Sequence, residues 1–208
     1  MKNRYYYNII LVVIFVASLG SCKKGNKIER HSVAEESEIV DSSIIVRLDN
    51  VEGNQISVTI QNTGERRTYN CDQAQTEGQV KGSLTKGDKL SVYPDSKSKK
   101  VRSVINLSEF EAQWFFDMNQ HRGMKIESDG AISSINMEDV SFRNWFIKNG
   151  QLIIHYVDMQ QRADSVQQYW VDHSEIIYLS KDKLDIRFRG KILQCQHEKK
   201  VIKFKFGK

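Results

Sequence analysis

The sequence predicts an all-β protein, a small barrel followed by a larger antiparallel meander barrel. Three observations predict it. Apolar and polar residues alternate in short runs, as where Ile56, Val58 and Ile60 interleave with Ser57, Thr59 and Gln61; a period of two marks a half-buried strand. Turn-forming clusters recur at a spacing of about 8–12 residues, which suits many short strands rather than helices. The chain has 1 proline against 9 Phe, 8 Tyr and 3 Trp, so rings suited to pleated surfaces abound and breakers are rare.

Taken in order, the chain starts with a leader. Lys2 and Arg4 form a positive flank, Ile9 to Ala17 a continuous apolar run, and Leu19-Gly20-Ser21 a small-residue approach to Cys22. The run is short of the about 20 apolar residues that a spanning helix needs. Positive flank, short apolar core and small-residue cleavage site are the marks of a secretory signal. Leu19-Gly20-Ser21-Cys22 resembles a bacterial lipobox. That resemblance implies a signal peptide over 1–21, cleaved before Cys22, and a lipoprotein held to membrane lipid by acyl chains such as palmitate on Cys22. Each buried CH₂ contributes about 0.8 kcal/mol, so several chains anchor firmly. Lys23 follows the cysteine where Asp would imply retention at the inner membrane. The expectation is therefore the cell envelope, at the periplasmic leaflet of the outer membrane. Residues 22–41 are polar, charged and aperiodic, and read as a flexible tether.

A small β-barrel domain is expected over 42–106. Two extended runs flank a turn at Glu52-Gly53-Asn54. Arg67 to Asn70 adds a short strand, Leu90 and Val92 alternate with Ser91 and Tyr93, and Val101 and Val104 carry another. The Gly87-Asp88 turn before a strand is similar to OB-type and SH3-type barrels. Ser108-Glu109-Phe110-Glu111 offers a capping box, with Ser at the N-cap and Glu three residues later. One or two helical turns are expected there, at the joint between lobes.

A second domain is expected over 107–208. Strands are predicted at Trp114–Asp117, Gly123–Ile126, Ala131–Ile135, Arg143–Ile147, Gln151–Val157, Val166–Asp172, Glu175–Leu179, Lys183–Phe188, Lys191–Gln194 and Val201–Phe206. Ser128-Asp129-Gly130, Lys148-Asn149-Gly150 and Ser180-Lys181-Asp182 supply tight turns between them. Residues that tolerate unusual φ favour hairpins. Sequential hairpins make a meander, and closing it removes its edges. The lysines that alternate with Val201, Ile202, Phe204 and Phe206 suit a guarded edge strand.

The run from Gly123 to Met137, GMKIESDGAISSINM, resembles the core of the lipocalin-like domain of bacterial lipoproteins. Trp145 stands where that family has a tryptophan. Asn149 to Ile154 and Ile177 to Leu184 resemble its later hairpins. The likeness covers about residues 112–190, and it implies a lipocalin-like barrel. Ala112-Gln113-Trp114 occupies the place of the first-strand G-x-W, with Ala for Gly; there the tryptophan plugs the barrel floor.

Charge and motif exclude several classes. The chain has 31 basic and 26 acidic residues. Loss of residues 1–21 removes only Lys2 and Arg4, which leaves 29 against 26. That mild excess, without a basic cluster on one element, gives no nucleic-acid footprint. H-E-x-x-H, G-x-S-x-G, Walker A and G-x-G-x-x-G are absent. The five histidines (His31, His121, His155, His173 and His197) show no metal-ligand spacing, so no metal, no cofactor and no catalytic residue is assigned and an enzyme is not expected. Glu109, Glu111, Asp139 and Asp158 read as solvated carboxylates. Cys71 and Cys195 are the cysteines that remain after Cys22. In an oxidising compartment they are a candidate disulfide, which would close a loop of about 124 residues and contribute about 4–5 kcal/mol; two separately buried thiols are the other reading.

Binding rests on the rings. Trp114, Phe116, Trp145, Tyr156 and Trp170 fall on strands of the second lobe. An eight-stranded barrel leaves an interior that side chains fill or that holds one small ligand. Two functions follow. One is non-enzymatic binding of a small apolar ligand by these five residues. The alternative is a structural or interaction subunit of an envelope complex, with solid barrels and an envelope protein as partner.

Overall fold

The computed structural model describes residues 43–119, 121–160 and 168–197. The signal peptide, the tether, Cys22 and the expected strand Val201–Phe206 lie outside them. The described residues fall in one compact unit. Strands β1 (Ile44–Glu52), β2 (Gln55–Ile60) and β3 (Arg66–Asn70) lead to helix α1 (Asp72–Thr76). Next come β4 (Val80–Lys81), β5 (Lys89–Pro94), β6 (Val101–Asn106) and helix α2 (Leu107–Phe110). Eight strands follow: β7 (Gln113–Asp117), β8 (Arg122–Ile126), β9 (Ile132–Ile135), β10 (Val140–Lys148), β11 (Gln151–Asp158), β12 (Tyr169–Leu179), β13 (Lys183–Phe188) and β14 (Lys191–His197).

The first sheet has the order β3-β2-β1-β5-β6-β4. A parallel bridge from Asn70 to Lys100 carries β3 towards β6. With α1 between β3 and β5, this is the connectivity of a partly open Greek-key barrel of OB type. Its core holds Val46, Leu48, Ile56, Val58, Leu90, Val92 and Val104. Successive side chains of a strand point to opposite faces, and at β5 and β6 this sheet buries both. Ile45, Ser91 and Ile105 are cross-strand neighbours on the other face, and Ile105 joins the core of the second barrel, with Ile45 packed against it. That double burial explains why β6 is covered almost throughout.

The second sheet runs β10-β11-β12-β13-β14-β7-β8-β9. Consecutive strands pair antiparallel and β14 returns to β7, so the meander all but closes. The seam falls between β9 and β10. There Ala131 bridges Asn144, and Ser134 Oγ accepts from Phe142 N at 2.9 Å while donating to the Val140 carbonyl at 2.8 Å. One hydroxyl thus serves where ladder bonds would run.

Several elements differ from the sequence reading. Helix α1 falls where the sequence predicts no element; five residues with Ala74 as the buried contact show no helical period. The two strands expected at 166–172 and 175–179 are one, β12, with its register shifted between Ile176 and Tyr178. Ser174 and Asp172 look like a break, yet Ser174 is buried and its Oγ donates to Asp172 Oδ1 at 2.6 Å. The cap of α2 is Asn106, whose Oδ1 accepts from Glu109 N at 3.1 Å. Ser108 Oγ instead accepts from Lys89 N at 2.8 Å, so the Ser108 capping box is not made.

Candidate ligand site in the second barrel

The five expected rings all belong to the second barrel's core or pack against it. Trp114, Trp145 and Tyr156 belong to its buried core, and Phe116 and Trp170 pack against it. They divide between two ends. Near α2, Phe110 enters the barrel and meets Trp145 edge to face at 5.1 Å. Trp114 Nε1 donates to the Phe110 carbonyl and Trp145 Nε1 to the Glu127 carbonyl, each at 3.0 Å. Trp114 and Phe110 are fully buried. Burying a ring such as that of Phe110 contributes about 1.5–3 kcal/mol. This end is plugged and its polar atoms are satisfied.

The far end is built differently. Tyr156 and Trp170 are a cross-strand pair on β11 and β12. Phe188 of β13 lies edge to face with Tyr156 at 5.1 Å and with Phe142 at 5.3 Å. Arg189, at φ +50° just beyond β13, holds its guanidinium 5.5 Å from the Tyr156 ring centre. Its Nη2 donates to Asp158 Oδ2 at 2.8 Å and its backbone N to Asp172 Oδ2 at 3.0 Å. Burial, more than the nearby Asp172 and Asp158, pushes the Tyr156 hydroxyl pKa up, against the pull of Arg189. Trp170 Nε1 is buried and has no hydrogen-bond partner. A buried donor left unpaired costs about 1–3 kcal/mol. So this end combines aromatic rings packed on one another, a paired guanidinium and an indole N–H with no acceptor.

Phe142, Phe188, Arg189, Asp158 and Asp172 were not foreseen as neighbours of this site. Asp158 was read as solvated, but it is buried against Arg189. Glu109 too is buried, accepting from the backbone N of Ser83 at 3.1 Å and from the Ser83 hydroxyl. The alternation of Phe142 and Phe188 was a usable signal; the Asp158–Arg189 pairing, across 31 positions, was not. Elsewhere, Trp145 borders a surface cleft of about 440 Å³ with Lys89 and Glu111, whose ammonium and carboxylate are 2.6 Å apart.

The cysteines occupy different cores. Cys71 belongs to the first and Cys195 to the second, and both are free and buried. Burial pushes the Cys71 thiol up to about 11. Burial, with the Asp185 carboxylate adding to it, pushes Cys195 up to about 12. Among the described residues no cluster of His, Cys, Asp and Glu is arranged to hold a metal. No helix among them is long and apolar enough to cross a membrane.

An eight-stranded meander with a tryptophan at its plugged end is now in view. The lipocalin-like family model matches residues 109–200. The match takes in the barrel from α2 onward and leaves the first lobe outside it. Among solved structures the chain is similar to a lipocalin-like protein from Bacteroides thetaiotaomicron VPI-5482. The identity is 22%, over 43% of this chain and 96% of that one, with a TM-score of 0.36. No curated protein matches.

Proposed function

We propose that this is a lipid-anchored protein of the bacterial cell envelope whose lipocalin-like barrel binds one small apolar molecule without catalysing a reaction. The lipocalin-like match supports small-ligand binding in general. The observation that carries the finer reading is the far end of the barrel. There Tyr156, Phe142 and Phe188 form a buried apolar cluster, and Trp170 Nε1 lacks an acceptor. An apolar molecule bearing one carbonyl or ether oxygen would use both. Apolar walls with a few placed polar groups are the usual composition of a ligand site.

Native mass spectrometry of the soluble part, residues 23–208, purified from cells tests it. A co-purifying small molecule is expected, and Trp170→Phe should retain at least fivefold less while remaining folded. A bare mass for the wild-type protein, or equal retention by the variant, would refute the reading. Place is tested apart from ligand. Cys22 and the short apolar run before it support an acylated N-terminus at the periplasmic leaflet of the outer membrane. Radiolabelled palmitate should enter the full-length protein and be lost in Cys22→Ala; no label, or label in both, would discard the anchor.

The second reading is an interaction subunit. It is favoured by exposed Phe146, Tyr169 and Val171 on β10 and β12, beside a barrel whose α2 end is solid. A bare native mass together with a stable complex in envelope extracts would select it.

A further inference from the structure

Between the two lobes lies a groove of about 570 Å³. One wall is the first lobe, through Lys81 of β4, Tyr93 of β5 and Ser103 of β6; the other is the barrel, through Gly150, His173 and Arg187. The walls are locked together. Lys81 Nζ donates to the Ile177 carbonyl at 3.1 Å, and Gly150 N donates to Ser43 Oγ at 3.0 Å. Gly150 sits so close to the other lobe that a Cβ there would lie 2.2 Å from Ser103 Oγ. The groove is therefore a preformed feature, not a gap between loosely placed parts.

Its polar groups are out of balance. Three cations line it, Lys81, Arg102 and Arg187, against two carboxylates, Glu77 and Glu175. Arg187 Nε already donates to Glu175 at 3.1 Å, so that pair is neutral. Arg102 lies over the Tyr93 ring at 5.6 Å and stands 3.9 Å from Asp95, beyond hydrogen-bond range. An ammonium carries three N–H donors; Lys81 uses one on Ile177. Burial pulls the Lys81 pKa down, with Glu175 opposing it, as for a cation partly stripped of water and not fully repaid by a partner. Ser103, only 7% exposed, has an Oγ with no hydrogen-bond partner. A half-buried ammonium with two N–H donors to spare, and a guanidinium whose ion pair with Asp95 is a loose 3.9 Å, give the groove positive groups that an anion would satisfy. Charge-assisted bonds to an oxyanion do so.

We propose that this groove is a second ligand site, separate from the barrel interior, and that it takes a small molecule carrying an oxyanion, either a carboxylate or a phosphate. Lys81 and Arg102 hold the anion. Neutral polyols bring no charge to Lys81 and Arg102, so they bind less well.

The test is a titration of soluble residues 23–208, at low ionic strength, followed through backbone amide resonances. Inorganic phosphate and succinate separate the two sources of the anion, and glucose is the neutral control. Saturable shifts at Ser103, Gly150 and His173 are expected with at least one anion, with little response to glucose. Lys81→Met should weaken binding at least tenfold, Lys81→Arg should restore most of it, and Lys86→Met, at a different cleft, should change nothing. Should Lys81→Met fail to fold, Arg102→Gln serves instead, with a loss of at least threefold expected. No saturable shift with either anion, an equal response to glucose, or undiminished binding by the folded variant would overturn the site.

Discussion

At the scale of single residues, burial decides chemistry more than residue type does. Cys71 and Cys195 are the cysteines of the described residues, and each is sunk in its own core. Their thiols, raised to about 11 and about 12 by burial, hold almost no thiolate at pH 8, and thiolate is the reactive form. Ellman's reagent should therefore modify no thiol in folded residues 23–208 and two in guanidinium. A count of zero in both conditions would instead mean that the two are bridged. The same shifts set a pH dependence. Each thiol loses its proton near 9 when unfolded and higher when folded, so between those values the folded state binds more protons and stability falls as pH rises. The slope is about 1.4 kcal/mol per pH unit for each thiol. Urea midpoints measured from pH 8 to pH 10.5 should fall, and fall less in Cys195→Ala. His155 shares a face with Ile153 and Val157: those two are buried outside the barrel core, while His155 is half-buried, edge to face with Phe146 at 5.6 Å.

At the scale of elements, the short α2 and its cap bind the two lobes. Asn106 is buried and spends its side chain three times. Its Oδ1 caps α2, and its Nδ2 donates to the Ser83 carbonyl at 2.6 Å and to Asp88 Oδ2 at 2.8 Å. Asn106→Ala would leave those acceptors and the Glu109 N–H short of partners. Loss of a cap costs about 1 kcal/mol and each buried orphan about 1–3 kcal/mol. A destabilisation of about 3 kcal/mol is expected by urea unfolding, and a change under 1 kcal/mol would show that the joint does not depend on this residue. Much of the element structure was legible beforehand. The hairpin at Lys148-Asn149-Gly150 appears where expected, with Asn149 and Gly150 both at positive φ, because two-residue turns of that kind demand those residues. The cap was not legible, since Ser108 and Asn106 are both good cap residues and only the approach of Lys89 from β5 assigns Ser108 elsewhere.

At the scale of the molecule, the lobes expected as separate domains at 42–106 and 107–208 share buried surface. Ile105, from the first lobe, sits in the core of the second, and Ser91 and Ser103 are buried on the same face of the first sheet. Calorimetry of residues 23–208 should accordingly show one transition, with calorimetric and van't Hoff enthalpies equal, as two-state behaviour requires. Two resolved transitions would mean that the shared face contributes little. The sequence by itself determined the all-β class, the meander order and that Trp114, Phe116, Trp145, Tyr156 and Trp170 lie on strands of the second lobe. Those depend on alternation and turn chemistry, which are local and written into neighbouring residues. Only the tertiary structure decided which end of the barrel is plugged, that Arg189 closes on Asp158, and that a charged groove opens between the lobes. Those depend on contacts between residues far apart in the chain, and no local pattern records a partner that only the closed sheets bring near.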